Sequence, residues 1–109
     1  MKKTDKKIEN AIVAALTEAC GTALEQHDGF TWLTHFVNYQ KFPSSLSIVC
    51  VFDTNENLLK ANNEAIEAII QAKLASIDIK IKDIRQHVSF DTQENCERDN
   101  NGSWDERFK

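Results

Sequence analysis

The chain is short of the residues that build irregular, ligand-cradling backbone. Of its 109 residues, three are glycine and one is proline. A loop that wraps a phosphate with its own amides needs closely spaced glycines, so that kind of site is not expected here. No G-x-x-x-x-G-K-[ST], G-x-G-x-x-G or G-x-S-x-G stretch occurs, which removes the signatures of P-loop, dinucleotide and nucleophile-elbow sites. Cysteine is scarce as well. Cys20, Cys50 and Cys96 are odd in number and lack C-x-x-C spacing, so they are not a disulfide framework. Cys20 and Cys50 fall in apolar stretches, where a free thiol packs as a small hydrophobe, and Cys96 lies among polar residues. Long apolar runs are missing too. Glu9, Asn10 and Glu18 interrupt the apolar stretch near the start, which reads as neither a leader core nor a membrane span. With reduced cysteines, a cytoplasmic protein with no membrane association is expected.

Excess positive charge is also absent. The net charge of −4 disfavours a protein whose affinity rests on neutralising many phosphates. Charges are segregated, with Lys2, Lys3, Lys6 and Lys7 at the start and Glu94, Glu97, Asp99, Asp105 and Glu106 near the end, and they read as solvated ends. What remains is ordinary globular material, 41% hydrophobic and 28% charged. Its length fits one domain over 1–109, with a polar tail from about residue 92.

Ile8, Ile12, Ala15, Leu16, Ala19, Ala23 and Leu24 recur at steps of three and four and predict a helix over 4–26, capped by Thr4 and ended by His27-Asp28-Gly29. FTWLTHFVNY (30–39) and SLSIVCVFD (45–53) are rich in aromatic and β-branched types and predict a hairpin. A second helix is expected from about Glu56 to Ser76 with Leu59, Ala65, Ile66, Ile69, Ile70 and Leu74 inward, Asn62-Asn63 offering a later start. A third strand is expected over 84–91, with a bend near Lys82-Asp83. The order α-β-β-α-β implies an α+β two-layer sandwich, a three-stranded mixed sheet with both helices on one face. The third strand should run parallel to the second or antiparallel to the first; the pattern leaves both open.

One internal echo stands out. Phe52-Asp53-Thr54-Asn55-Glu56-Asn57 and Phe90-Asp91-Thr92-Gln93-Glu94-Asn95 share F-D-T-[NQ]-E-N, each after a strand. Asp53, Glu56, Asp91 and Glu94 are candidate Mg²⁺ or Ca²⁺ ligands if the strands end at one edge. The local alternative is helix capping through D-x-x-E, and it is the preferred reading, with no metal and no cofactor expected. His35, His87 and Cys96 form a weaker zinc candidate, and Cys96 with His87 a nucleophilic pair without an orienting third group.

If Phe30, Trp32, Phe36, Leu46, Ile48, Cys50, Phe52, Ile84, Val88 and Phe90 face the helices, the other sheet face carries Leu33, His35, Val37, Tyr39, Val49, Val51, Arg85 and His87. An apolar centre with a polar and aromatic margin is what a partner surface looks like. The alternative is that the terminal segment, with Trp104 and Phe108, folds over it.

TWLTHFVNYQKFPSSLSIVCVFDTNENL and IKDIRQHVSFDTQENC resemble a family of short gammaproteobacterial proteins, members of which are sometimes labelled Fis-like transcriptional regulators. The Fis DNA-binding protein is all-helical with a basic helix-turn-helix, whereas this chain has a strand-rich middle and an acidic end. The resemblance implies no activity and no site residues. The expected function is therefore a small non-enzymatic interaction or regulatory module that self-associates as a dimer through the open sheet face. Two alternatives stand beside it. One is nucleic-acid binding by His35, Tyr39, Arg85 and His87 near the Lys-rich start. The other is a metal-dependent enzyme using the four carboxylates.

Overall fold

The two apolar helical stripes do what their spacing dictates. In this computed structural model, which describes residues 2–109, α1 (Lys3–Gln26) buries Ile12, Ala15, Leu16, Ala19 and Ala23. A later helix, Asn63–Ala75, buries Ile66, Ile70 and Leu74. These stripes pack with Leu46, Ile48, Cys50 and Phe52 into one cluster. The full order is α1, β1 (Phe30–Phe36), a 3-10 turn (Tyr39–Lys41), β2 (Ser47–Phe52), α2 (Asn55–Lys60) and α3 (Asn63–Ala75). There follow a second 3-10 turn (Ile84–Gln86), β3 (Val88–Thr92), α4 (Gln93–Asn100) and α5 (Trp104–Arg107). The sheet order is β1-β2-β3. β1 and β2 are antiparallel, and β2 and β3 parallel. The fold is α+β, with α1 and α3 layered on one face of a mixed three-stranded sheet.

Four local expectations are revised. Lys2, not Thr4, precedes α1, and no side chain caps it. The single helix over 56–76 is two helices, because the Asn62 side chain accepts the Ala65 amide and starts a new one. Leu59, on the short α2, is 86% exposed rather than inward. Ile84 opens a 3-10 turn capped by Asp83, so the third strand begins only at Val88.

The larger revision concerns the faces of β1. Phe30 pairs with Phe52, but Trp32 pairs with Val51, so the register slips at Thr31. A bulge of one residue sends every later side chain to the opposite face. The Thr31 hydroxyl donates to the Val51 carbonyl at 2.8 Å and supplies a partner where the ladder is disturbed. Beyond it, Leu33 and His35 lie opposite Cys50 and Ile48 on the helix side, while Trp32, Thr34 and Phe36 lie opposite Val51, Val49 and Ser47 on the far side. Trp32 and Phe36 therefore leave the expected core set.

The far side is covered by the end of the chain. Trp104 meets Trp32 edge-on with ring centres 5.0 Å apart, and Phe108 meets Phe36 at 5.1 Å. The polar segment from about residue 92 holds two helices, the second being the short terminal α5 that carries Trp104. Thr92 caps α4, and Asn101 and Gly102, with φ of 53° and 80°, turn the chain into α5.

Candidate interaction surface

The groove beside the sheet edge is apolar and open. It lies between α1 and β1, has a volume of about 450 Å³, and is lined by Val13, Thr17, Cys20, Leu24, Leu33 and His35 among others. Val13 is 47% and Leu24 50% exposed. At Gly21 an added Cβ would meet nothing within 4 Å. The Thr17 hydroxyl is already spent on the Val13 carbonyl at 2.7 Å. β1 is hydrogen-bonded on one side only, to β2. Its sequence, FTWLTHF, carries no lysine and no proline, the residues that usually guard an edge. The Cys20 thiol is pushed up by burial, against a smaller opposing pull from the Leu33 backbone. It is thus a packing group and not a ready nucleophile.

Of the groove's lining, His35 belongs to a cluster of three polar side chains. His35 Nε2 lies 2.9 and 3.1 Å from the two Glu9 carboxylate oxygens, and the Tyr39 hydroxyl donates to the same carboxylate. The bond from His35, then that from Tyr39, holds Glu9 below the usual carboxylate range. Burial, then Glu9, pushes the Tyr39 phenol well above its usual value. A phenol that stays protonated and a carboxylate already saturated by donors make a staple between α1 and the Tyr39 turn. They offer no free acid or base.

The F-D-T-x-E-N echo is a repeated cap, with threonine in the capping role. Thr54 accepts the Asn57 amide and Thr92 the Asn95 amide, at 3.1 and 3.0 Å. Each preceding aspartate accepts the threonine amide and the side-chain amide of the asparagine. The parallel strands bring the two caps together. The Asn55 amide donates to Glu94, its side chain donates to Asn95 at 2.8 Å, and Thr92 donates to Asn55 at 2.9 Å. The carboxylates do not converge. Asp53 faces Asn57, Glu56 pairs with Lys60, Glu94 receives Asn55, and Asp91 pairs with Arg107. Among the described residues no three His, Cys, Asp or Glu side chains are grouped to hold a metal. The zinc candidate is dispersed as well. His35 is bound to Glu9 on β1, His87 donates to the Leu46 carbonyl beside β3, and β2 lies between them. Cys96 is buried on α4.

The eight residues expected on one open face are divided among four places. Leu33 and His35 line the groove. Val37 and Tyr39 pack against the core cluster. Val49 and Val51 stand on the face that α5 covers, with Val51 fully buried. Arg85 pairs with its neighbour Asp83 beside α3, and His87 is bonded to Leu46. His35 and Tyr39 therefore meet at Glu9, while Arg85 and His87 stand on the other side of β2. Val13, Thr17 and Gly21 were not singled out, and Leu24, expected on the buried stripe with Ala23, is instead half-exposed on this second one. Their signal was a second stripe on α1, at steps of four, four and three, beside the buried one.

Among the described residues no helix is long and apolar enough to cross a membrane. Comparison with protein-family models, with curated proteins and with solved structures finds no match for the chain.

Proposed function

We propose that this protein is a non-enzymatic interaction module of the cytoplasm that self-associates through the α1–β1 groove and the free edge of β1. The observation that carries this reading is the pairing of half-exposed Val13 and Leu24 with an unguarded edge strand across one apolar groove. Exposed apolar surface contiguous with unsatisfied strand backbone is the combination that strand-pairing partners use. The polar clusters elsewhere are internally satisfied caps and staples, which suits a binding role over catalysis. The test is light scattering on the eluting protein, wild type against a Val13→Glu, Leu24→Glu double variant. The wild type should elute as a dimer and the variant as a folded monomer. A monomeric wild type, or a dimer untouched by the double change, would overturn the reading.

A further inference from the structure

Resting on that reading, we infer that the partner in the groove is a second copy of this chain, seated antiparallel. A single two-fold axis would then pair the two β1 edges and cross the two α1 helices head to tail.

Three features point to this seating. First, helix and strand share a midpoint. Val13, Thr17, Gly21 and Leu24 form the exposed stripe, and Thr17, near its centre, lines the same groove as Thr34 near the centre of β1. An axis at that point serves both elements, as an isologous contact requires. Second, the stripe is small in the middle. Thr17 and Gly21, with open space at Gly21, let two helices approach closely while Val13 and Leu24 pack outside them.

Third, α1 is electrically complementary to its own reverse. Lys3, Lys6 and Lys7 stand in its first turns, offset only by Asp5, while Glu18 and Glu25 stand in the later ones and the last turn holds no basic residue. Lys6 falls on the Val13–Leu24 stripe itself, seven residues before Val13. Among the described residues, none of Lys6, Lys7, Glu18 and Glu25 has an ion-pair partner within the chain. Glu9, the other acid of the first half, is occupied by His35 and Tyr39. Antiparallel seating about Thr17 lays Lys6 and Lys7 of one copy along Glu25 of the other, and parallel seating lays lysine on lysine. Pairing the edges joins the three strands of each copy into one continuous sheet.

The test is a charge swap read by dilution of the dimer. Lys6→Glu with Lys7→Glu, and separately Glu25→Lys, should each weaken association about tenfold, because every lost attraction occurs twice across the axis. The three changes together restore the complement with its sign reversed, and should return the affinity to within about threefold of wild type. Half-swaps without effect, or a triple variant as weak as the halves, would overturn the antiparallel seating. If Val13→Glu with Leu24→Glu still dissolves the dimer in that case, the groove survives as the interface and only the seating falls. A monomeric wild type ends both. A geometric check uses a Cys20→Ser background: mild oxidation should link copies through Thr17→Cys, near the axis, and not through Asn10→Cys. Linking through Asn10→Cys alone would overturn the seating.

Discussion

Arg107 closes a two-pronged grip on Asp91. Its Nε donates to one carboxylate oxygen at 2.6 Å and its Nη2 to the other at 3.1 Å, while Nη1 donates to Asn100 at 3.0 Å. Both side chains are about one-fifth exposed, 21% and 19%. A forked pair this sheltered is stronger than an ordinary surface ion pair. It fixes α5 against the end of β3 and holds Trp104 and Phe108 on the far side of the sheet.

Arg107→Ala should therefore cost about 2 kcal/mol and loosen the tail before the rest of the molecule. Urea titration followed by tryptophan emission would check it, since Trp104 and Trp32 lose their mutual contact together. A variant with the wild-type midpoint would show that the aromatic contacts alone hold the tail.

Acid should weaken the same joint. Burial raises Asp91, but Arg107, the Thr92 amide and Asn95 together outweigh it and leave the carboxyl below its usual value. Glu9 is lowered through His35 and Tyr39. A carboxylate depressed by folding stabilises fully above its unfolded value, about 4, and loses that contribution as pH falls through the folded one. Stability should thus be flat through neutral pH and fall below about pH 4. In Asp91→Asn the acid limb should be shallower and the neutral plateau lower. Urea midpoints measured across the acid range would check both.

Glu9→Gln should cost about 1–2 kcal/mol by removing the charged acceptor shared by His35 and Tyr39. It should also let the Tyr39 phenol ionise at lower pH, since Glu9 is the second cause of its upward displacement after burial. Alkaline ultraviolet titration reads this directly, because Tyr39 is the chain's single tyrosine.

Val37→Glu and Phe36→Glu should part company. Simple alternation would put Val37 outside and Phe36 inside. The bulge reverses this: Val37 packs on the core cluster and Phe36 is 46% exposed. A carboxylate at Val37 should destabilise by about 2–4 kcal/mol, and one at Phe36 by less than about 1. Thermal melts of the two variants would decide the register.

That reversal also shows why the helices were readable and this strand was not. A helix buries one stripe and leaves a polar one, so Ile12, Leu16 and Ala19, or Ile66, Ile70 and Leu74, announce their side by period alone. In β1 and the residue after it both alternating sets are apolar, Trp32 and Phe36 on one and Leu33 and Val37 on the other, and no residue type marks Thr31 as the extra one. The α-β-β-α-β order was within reach, but the place of the third strand beside β2 and not β1 was not, since the pattern allowed either neighbour. α4 was not, because Cys96 is its one buried residue and leaves no period to detect. The echo was legible as capping. Its capping atom was not, since Asp and Thr stand side by side and either can serve. The groove escaped notice because Leu24 fits the period of the buried stripe next to Ala23, and Val13 alone marks no second face.

The joined caps bear on the order in which the molecule comes apart. Asn55 and Asn95 sit forty positions apart in the chain, one just after β2 and the other just after β3. Closing a span of that length costs entropy that only contacts at its mouth and within it can offset. At the mouth those contacts are mostly amide to amide and hydroxyl to amide, which salt does not disturb at moderate strength. The tail, in contrast, is held by an ionic grip. Salt should therefore loosen the far face of the sheet before the crossover, whereas acid reaches both, since Asp91 serves its own cap as well as the grip. The first species to appear on the way to unfolding would be a sheet with its aromatic side bare, and that species would be the one prone to aggregate.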